Sequence, residues 1–256
     1  MIKFLISVAT RFVPRHYLHH VSHFFLLVIS PFYWGNTFED PITGKTYRKL
    51  LPYGRLNPRE NALSPGSMAL ERHRLLWIFL QKFKPEFFQN SISLLHIAPE
   101  YCFLSRFKKM ENLDYTTADL NSPWADIHMD AHEMPFADNK FDVVFCNHVL
   151  EHVADDKQVM HELYRVMKTG GWGIFQIPQD ITLAKTHGDS SVTDPRERER
   201  LYGQSDHVRQ YGLDYPEFLR EAGFKVEKLD WEKEISQELV ERYALPKGEH
   251  LYLCSK

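Results

Sequence analysis

Across residues 94–178 the spacing of hydrophobic and polar positions changes period several times. Short apolar runs at 94–98, 143–146 and 173–177 alternate with longer amphipathic stretches, the pattern of repeated βαβ units. Parallel strands need crossovers of that length, so the pattern predicts a mostly parallel sheet flanked by helices, with ligands at the carboxyl ends of the strands. Upstream, ALERHRLLWIFLQKF lacks Gly and Pro and is rich in good helix formers, which predicts a helix that Pro85 ends. DDKQVMHELYRVM carries apolar residues at helical spacing, and Gly170 and Gly171 then predict the turn into a fifth strand. FLREAGFKVEKLDW reads as a helix and a sixth strand, and EHLYLCSK as a seventh. Residues 36–68, rich in Gly, Pro and Asn, predict an irregular segment or small ribbon.

Length and composition narrow the picture. A chain of 256 residues buries one sizeable core with a small appendage, and 43% hydrophobic with 25% charged residues is ordinary globular composition. A net charge of -3 offers no bulk attraction for nucleic acid. Cys102, Cys146 and Cys254 are too few and too scattered for a disulfide framework or a thiolate zinc site, which favours a reducing compartment, the cytoplasm. In residues 1–35 the longest uncharged apolar run, 24–29, falls far short of the ~20 residues of a membrane span. Arg11 and Arg15 interrupt the apolar region and argue against a secretory signal. Two readings stay open for this segment: a helix packed on the domain, and a basic amphipathic element on the inner membrane surface.

The chain thus divides into an N-terminal segment (1–35), a ribbon-like segment plus helix (36–90) and a main domain (91–256). A polar insertion at about 181–216 is long for a crossover and suits a substrate cover. Its RERER run, with alternating signs, predicts a solvated helix face.

The runs LLHIAPEYC, NLDYTTADL, ADIHMDAHEMPFADNKFD, FDVVFCNHVLEHV and KTGGWGIFQIP, taken in order, resemble the class I S-adenosylmethionine-dependent methyltransferases, especially the type 11 small-molecule group. The most specific match is FDVVFCNHVLEHV. The resemblance implies a Rossmann-like α/β fold with a seven-stranded sheet, the last strand inserted antiparallel. The first motif departs from the family. His96 stands where an acidic residue is expected, and Ala98, Pro99, Glu100 and Cys102 replace its small residues, as in a bacterial subgroup reading His-hydrophobic-Ala-Pro-Glu. S-adenosylmethionine carries no phosphate, so its binding does not require the free N–H groups of a glycine loop.

By the resemblance, Asp119 receives the ribose hydroxyls, Asp130 and the Ala131 backbone meet the adenine, and Asn147 and His148 lie beside the methionine end. Glu100 suits the ammonium and the sulfonium charge. His96 either hydrogen-bonds the methionine moiety or fills the strand end, and His152 either packs on a helix or lines the pocket. Met134, Pro135 and Phe136 resemble the family's LPF, and Thr169 replaces the proline of its LKPGG.

His148, Glu151 and His152 also spell H-x-x-E-H, an inverted zinc-protease pattern. That chemistry needs a metal-binding helix and a third ligand. Residues 143–146 read instead as a buried strand, so the run is expected to be a strand-to-helix turn holding no metal. Methyl transfer from a sulfonium is an in-line displacement that demands alignment, exclusion of water and, for a hydroxyl or amine acceptor, a base. The candidate bases are His207 and His148, with Asp206, Arg209 and Tyr211 as acceptor contacts. The resemblance also implies a zinc ribbon ahead of the LERHRLLW helix, but its thiolate positions here are Asp40, Thr43, Ser64 and Ser67. No structural zinc is expected, and Tyr47, Tyr53 and Trp77 are expected to supply packing instead. The expected activity is methyl transfer to oxygen or nitrogen of a small-molecule or glycan-type acceptor. The alternatives are a non-catalytic S-adenosylmethionine-binding module and a peripheral membrane scaffold of the same fold.

Overall fold

The computed structural model describes residues 25–54, 58–189 and 191–256, so most of the segment read as amphipathic lies outside the described residues. The chain forms two compact units. The first takes the chain up to Phe87 together with Tyr101–Ser105 and Glu232–Lys247, and the second takes Phe88–Glu100, Arg106–Trp231 and Gly248–Lys256. Residues 232–247, which the sequence reading placed in the main domain, therefore group with the ribbon.

In the first unit, residues 25–29 are helical and lead into a 3-10 turn, Ser30–Tyr33. Strand β1 (Trp34–Asp40) pairs antiparallel with β2 (Lys45–Tyr47), and β3 (Leu51–Tyr53) with β4 (Arg59–Leu63). Helix α1 (Glu71–Phe83) buries every residue from His73 to Leu80, more than one face, so it forms the core of this unit. The four positions aligned with thiolates are tied by hydrogen bonds. Buried Asp40 accepts from the Ser64 hydroxyl (2.7 Å) and the Ile42 N–H (3.0 Å), while the Thr43 and Ser67 hydroxyls accept from the Lys45 and Ala69 N–H groups.

Arg74 holds this unit together. Its guanidinium is fully buried and donates to the carbonyls of Ala62, Ala69, Tyr243 and Ala244 at 2.6–2.9 Å. Burial pulls its pKa down to about 10, and the nearby carboxylates of Asp40 and Glu71 counter that pull. The contacts to Tyr243 and Ala244 explain why 232–247 returns to this unit. Tyr47 and Trp77 are buried as expected, Trp77 stacking on Phe103. Tyr53 is not: it lies about half-exposed on the short strand β3, where no second layer covers it.

Helix α2 (Tyr101–Phe107), most of which groups with the first unit, follows β5 (Ile92–Ile97) in the chain, and the second unit continues with β6 (Leu113–Asp119), β7 (Ile127–His128), β8 (Phe141–Cys146), α3 (Asp156–Val166) and β9 (Met167–Ile174). The insertion follows as β10 (His187–Gly188), α4 (Pro195–Tyr202) and β11 (Arg209–Gln210), and then come α5 (Tyr215–Glu221), β12 (Lys225–Leu229) and β13 (Leu251–Ser255). One seven-stranded sheet runs β12-β13-β9-β8-β5-β6-β7. β5 to β9 pair in parallel, and β13 enters antiparallel between β9 and β12, as the resemblance implied. β5 and β8 are buried along almost their whole length because both faces are covered, which is why they read as unbroken apolar runs. The core beside them is built from Leu95, Val144, Leu163, Phe175 and Tyr215.

Two elements differ from expectation. β9 begins at Met167, directly after α3, so Gly170 and Gly171 sit inside the strand rather than in a turn before it. Gly170 adopts φ +81° and the register with β8 shifts there, a bulge that lets the backbone of Gly171 pass the Asp142 carbonyl. The RERER run does form an exposed helix, α4, capped by the Asp194 carboxylate and ended by Gly203 at φ +83°.

Substituting Arg74→Ala strips four buried carbonyls of their donor, and urea unfolding is expected to show a loss of roughly 3 kcal/mol or more. A loss under about 1 kcal/mol would remove Arg74 from its central place in this unit.

Candidate active site

In the second unit the sheet order reverses at β5, whose neighbours β6 and β8 leave in opposite directions, and the crevice at such a switch point is where open α/β sheets bind ligands. The side chains gathered there form a continuous polar chain. His96, fully buried at the end of β5, meets the Tyr115 hydroxyl through Nδ1 (2.9 Å) and the Glu100 carboxylate through Nε2. Glu100 also accepts from the Asn147 amide (3.0 Å), and the Asn147 carbonyl accepts from the Gln176 N–H (3.1 Å). The Gln176 side chain in turn donates to Glu249 (2.8 Å). This chain spans the ends of β5, β8 and β9 and occupies the place of a glycine loop. Ala98 stands at its start with φ +49°, its N–H donating to the Ala118 carbonyl at 2.8 Å. A left-handed alanine costs about 1–2 kcal/mol, so the surrounding fold imposes this bend.

Asp119 ends β6, as expected, and one of its oxygens accepts from the N–H groups of Asn121 (2.7 Å) and Ser122 (2.6 Å). That leaves its other oxygen without a partner among the described residues. Asp130 follows β7 and is exposed. Hydrogen bonds from the His132 backbone and ring hold its carboxyl below the usual carboxylate range. Ala131 is buried beside it in the core.

After β8 the chain turns sharply through His148, at φ +55°, its N–H donating to the Gln176 carbonyl (2.7 Å). The H-x-x-E-H run is thus a turn, as expected, and helix α3 starts only at Asp156. His148 Nδ1 lies 3.2 Å from a Glu151 oxygen. Its Nε2 is buried with no hydrogen-bond partner among the described residues. Glu151 is 1% exposed and its Oε2 is likewise unpartnered.

The insertion folds back on this turn. The Val208 N–H donates to the Glu151 carbonyl (2.9 Å), and the Arg209 guanidinium donates to the carbonyls of Leu150, Val153 and Ala154. Tyr211 donates its buried hydroxyl to Asp156 at 2.5 Å. Arg209 and Tyr211, expected to contact the acceptor, are instead engaged in holding the insertion to the turn, because these orphan carbonyls and the Asp156 carboxylate lie within their reach. His207 is 2% exposed, donates Nδ1 to the Tyr202 carbonyl (3.1 Å), and packs edge-on against His152 with ring centres 4.8 Å apart. Burial holds the His207 imidazole below its usual pKa, that is, neutral. Asp206 presents its carbonyl to His152 Nδ1 (3.3 Å).

Glu151, Tyr115, Gln176 and Glu249 belong to this constellation and carried no sequence signal of their own, apart from the place of Glu151 in H-x-x-E-H. Tyr115, Gln176 and Glu249 come from three different strands or their ends, and only the strand register brings them together.

Residues 103–175 match the model of the methyltransferase domain family. A demethylmenaquinone methyltransferase from Listeria monocytogenes is 42% identical over 69 residues, 27% of this chain and 29% of that protein. A ubiquinone/menaquinone biosynthesis C-methyltransferase from Desulfotalea psychrophila is 48% identical over 42 residues, 16% of this chain and 17% of that protein. The chain therefore spans less than a third of the length of these curated relatives. Among solved structures, an S-adenosylmethionine-dependent methyltransferase from Archaeoglobus fulgidus aligns at 17% identity with TM-score 0.47, covering 71% of this chain and 93% of that one.

Cys146 and Cys254 are fully buried, and burial pushes both thiols far above their usual range. Mass spectrometry after alkylation at pH 8 is expected to find both unmodified in the folded protein and both labelled once it is unfolded. Rapid labelling of Cys146 in the folded state would mean that the C-terminal end of β8 opens readily.

Proposed function

We propose that this chain, which carries a methyltransferase domain on the Rossmann-like seven-stranded fold of class I S-adenosylmethionine-dependent enzymes, moves a methyl group from that cofactor to a small-molecule acceptor. The observation that carries the reading is the His148 turn: a strained backbone at the switch point presents a buried imidazole nitrogen, Nε2, with no hydrogen-bond partner among the described residues. Strain and an unsatisfied polar atom persist where a ligand completes the site.

The residues present fit the cofactor. In this reading the free oxygen of Asp119 would take the ribose hydroxyls, Asp130 and the Ala131 backbone the adenine, and Ala98, His96, Glu100 and Asn147 the methionine end; the Asp119 and Glu100 hydrogen bonds support it. The polar chain fixes the Glu100 carboxylate from two sides, so it meets a cationic group without reorganising. S-adenosylmethionine supplies a methyl group on a positively charged sulfur. Everything else falls to the protein: aligning the acceptor, excluding water and removing a proton.

For the last task we assign His148. Its Nδ1 lies 3.2 Å from the Glu151 carboxylate, and in this reading the buried Nε2 takes the hydroxyl or amine proton. His207, the other candidate base, is more deeply buried, and we assign it no proton transfer. The acceptor class most compatible with this base carries a weakly acidic hydroxyl, methylated there or at the neighbouring carbon. Both relatives are named for quinones, and a reduced quinone has ring hydroxyls whose deprotonation pushes electron density onto the ring carbons.

A second reading, peripheral membrane contact through residues 1–35, is supported by Phe25, Val28, Phe32 and Trp34, all more than half exposed. Among the described residues no helix is long and apolar enough to cross a membrane. The two roles are compatible, since a quinone acceptor resides in lipid.

Calorimetry is expected to detect S-adenosylmethionine and its demethylated product, with Asp119→Ala weakening both by more than about tenfold. Absence of binding would refute the reading. Release of demethylated cofactor, assayed over a panel of phenols, reduced quinones and amines, is expected to fall about 100-fold in His148→Ala while cofactor affinity changes little. Co-sedimentation with anionic liposomes is expected for the full chain and not for a chain beginning at residue 36.

A further inference from the structure

The sequence reading set the H-x-x-E-H run aside as a metal site because it expected a turn and saw no third ligand. The fold supplies the third ligand. Glu151, His152 and His207 each offer one atom, and these atoms all lie within 4.8 Å of one another. We propose that Glu151, His152 and His207 form a binding site for a borderline transition-metal dication, zinc foremost, through the Glu151 carboxylate and the two imidazole Nε2 atoms.

Three independent features support this. First, the tautomers are already set. His207 Nδ1 faces the Tyr202 carbonyl (3.1 Å) and His152 Nδ1 the Asp206 carbonyl (3.3 Å). A carbonyl only accepts, so both protons sit on Nδ1 and both Nε2 atoms carry lone pairs. This is the outer-shell arrangement found behind metal-bound histidines. Second, the inward atoms lack partners: Glu151 Oε2 and His207 Nε2 are buried without a hydrogen bond. Among the described residues no lysine or arginine pairs with Glu151, and its contacts are His148 at 3.2 Å and His152 at 4.0 Å. A carboxylate this deep calls for positive charge, which a dication would provide. Third, the backbone beneath the ligands is held. The Arg209 and Val208 hydrogen bonds clamp the 150–154 turn to the segment bearing His207, so two distant stretches of chain lie side by side before any ion arrives, and only side-chain movement is needed to close the site.

Two imidazoles and one carboxylate favour zinc over magnesium or calcium, which prefer all-oxygen shells. Ligand atoms of a tetrahedral zinc stand about 3.4 Å apart, so binding requires the trio to contract by about an ångström. Three protein ligands leave one position open, and His148 Nδ1 lies 3.2 Å from the same carboxylate.

The test uses full-length protein stripped with a chelator, then titrated with zinc, with magnesium as control, in the absence of cofactor and acceptor. It is therefore independent of the methyl-transfer reading. One equivalent of zinc is expected to bind, magnesium not to bind at this site, and cobalt(II) to give the visible bands of a four- or five-coordinate nitrogen and oxygen site. His152→Ala and His207→Ala are each expected to weaken zinc binding by more than about tenfold, whereas His128→Ala, on β7, leaves it unchanged. If circular dichroism shows that the buried His207 variant has lost its fold, the part-exposed His152→Ala and the isosteric Glu151→Gln decide. Absence of stoichiometric zinc binding, or zinc affinity retained in the folded His152 and Glu151 variants, would overturn the proposal.

Discussion

Where β5, β8 and β9 end, the sheet stops supplying hydrogen bonds while the surrounding core keeps excluding water. Polar groups at those ends must be satisfied by other side chains or remain at high cost. The chain His96–Glu100–Asn147–Gln176–Glu249 answers that constraint, and the rest of the second unit is arranged around it. It fixes the loop after β5 without glycines, seats the start of the β8 turn through Asn147, and reaches the last strand region through Glu249. A network satisfied at every joint is rigid.

Beyond the chain lies the turn at His148, where the pattern reverses and polar atoms are buried without partners. The insertion does not merely cover this turn. Arg209 satisfies three of its backbone carbonyls and Tyr211 reaches Asp156, so the backbone needs of the turn are met from the insertion, while His148 and Glu151 of the turn and His207 of the insertion keep side-chain atoms unsatisfied among the described residues.

The first unit meets a similar constraint by different means. Four positions that the family resemblance assigned to thiolates carry Asp40, Thr43, Ser64 and Ser67, and each makes a hydrogen bond. The same unit is drawn together by Arg74, whose guanidinium gathers carbonyls from the β4 end, the loop after it and the 243–244 turn. Five rigid donors on one planar group are suited to that task, as a lysine would not be.

The fold was legible in the chain because periodicity and buried apolar runs are local: the strands 94–98 and 143–146, the helix ahead of Pro85 and the seventh strand all appear in consecutive residues. The same holds for the positions of Asp119, at the end of β6, and Asp130, just past β7. Gly170 misled because a glycine pair reads alike as turn or bulge, and only pairing with β8 distinguishes them. Arg209 misled because an arginine in a polar insertion looks the same whether it awaits a ligand or binds backbone. What the sequence by itself determined was the parallel sheet, its switch point and the residue types delivered there. What only the tertiary structure decided was which of them meet: His96 with Tyr115, Glu100 with Asn147, and Glu151 with His207. Those pairings depend on strand register and on the return of a distant insertion, and neither leaves a mark on neighbouring residues.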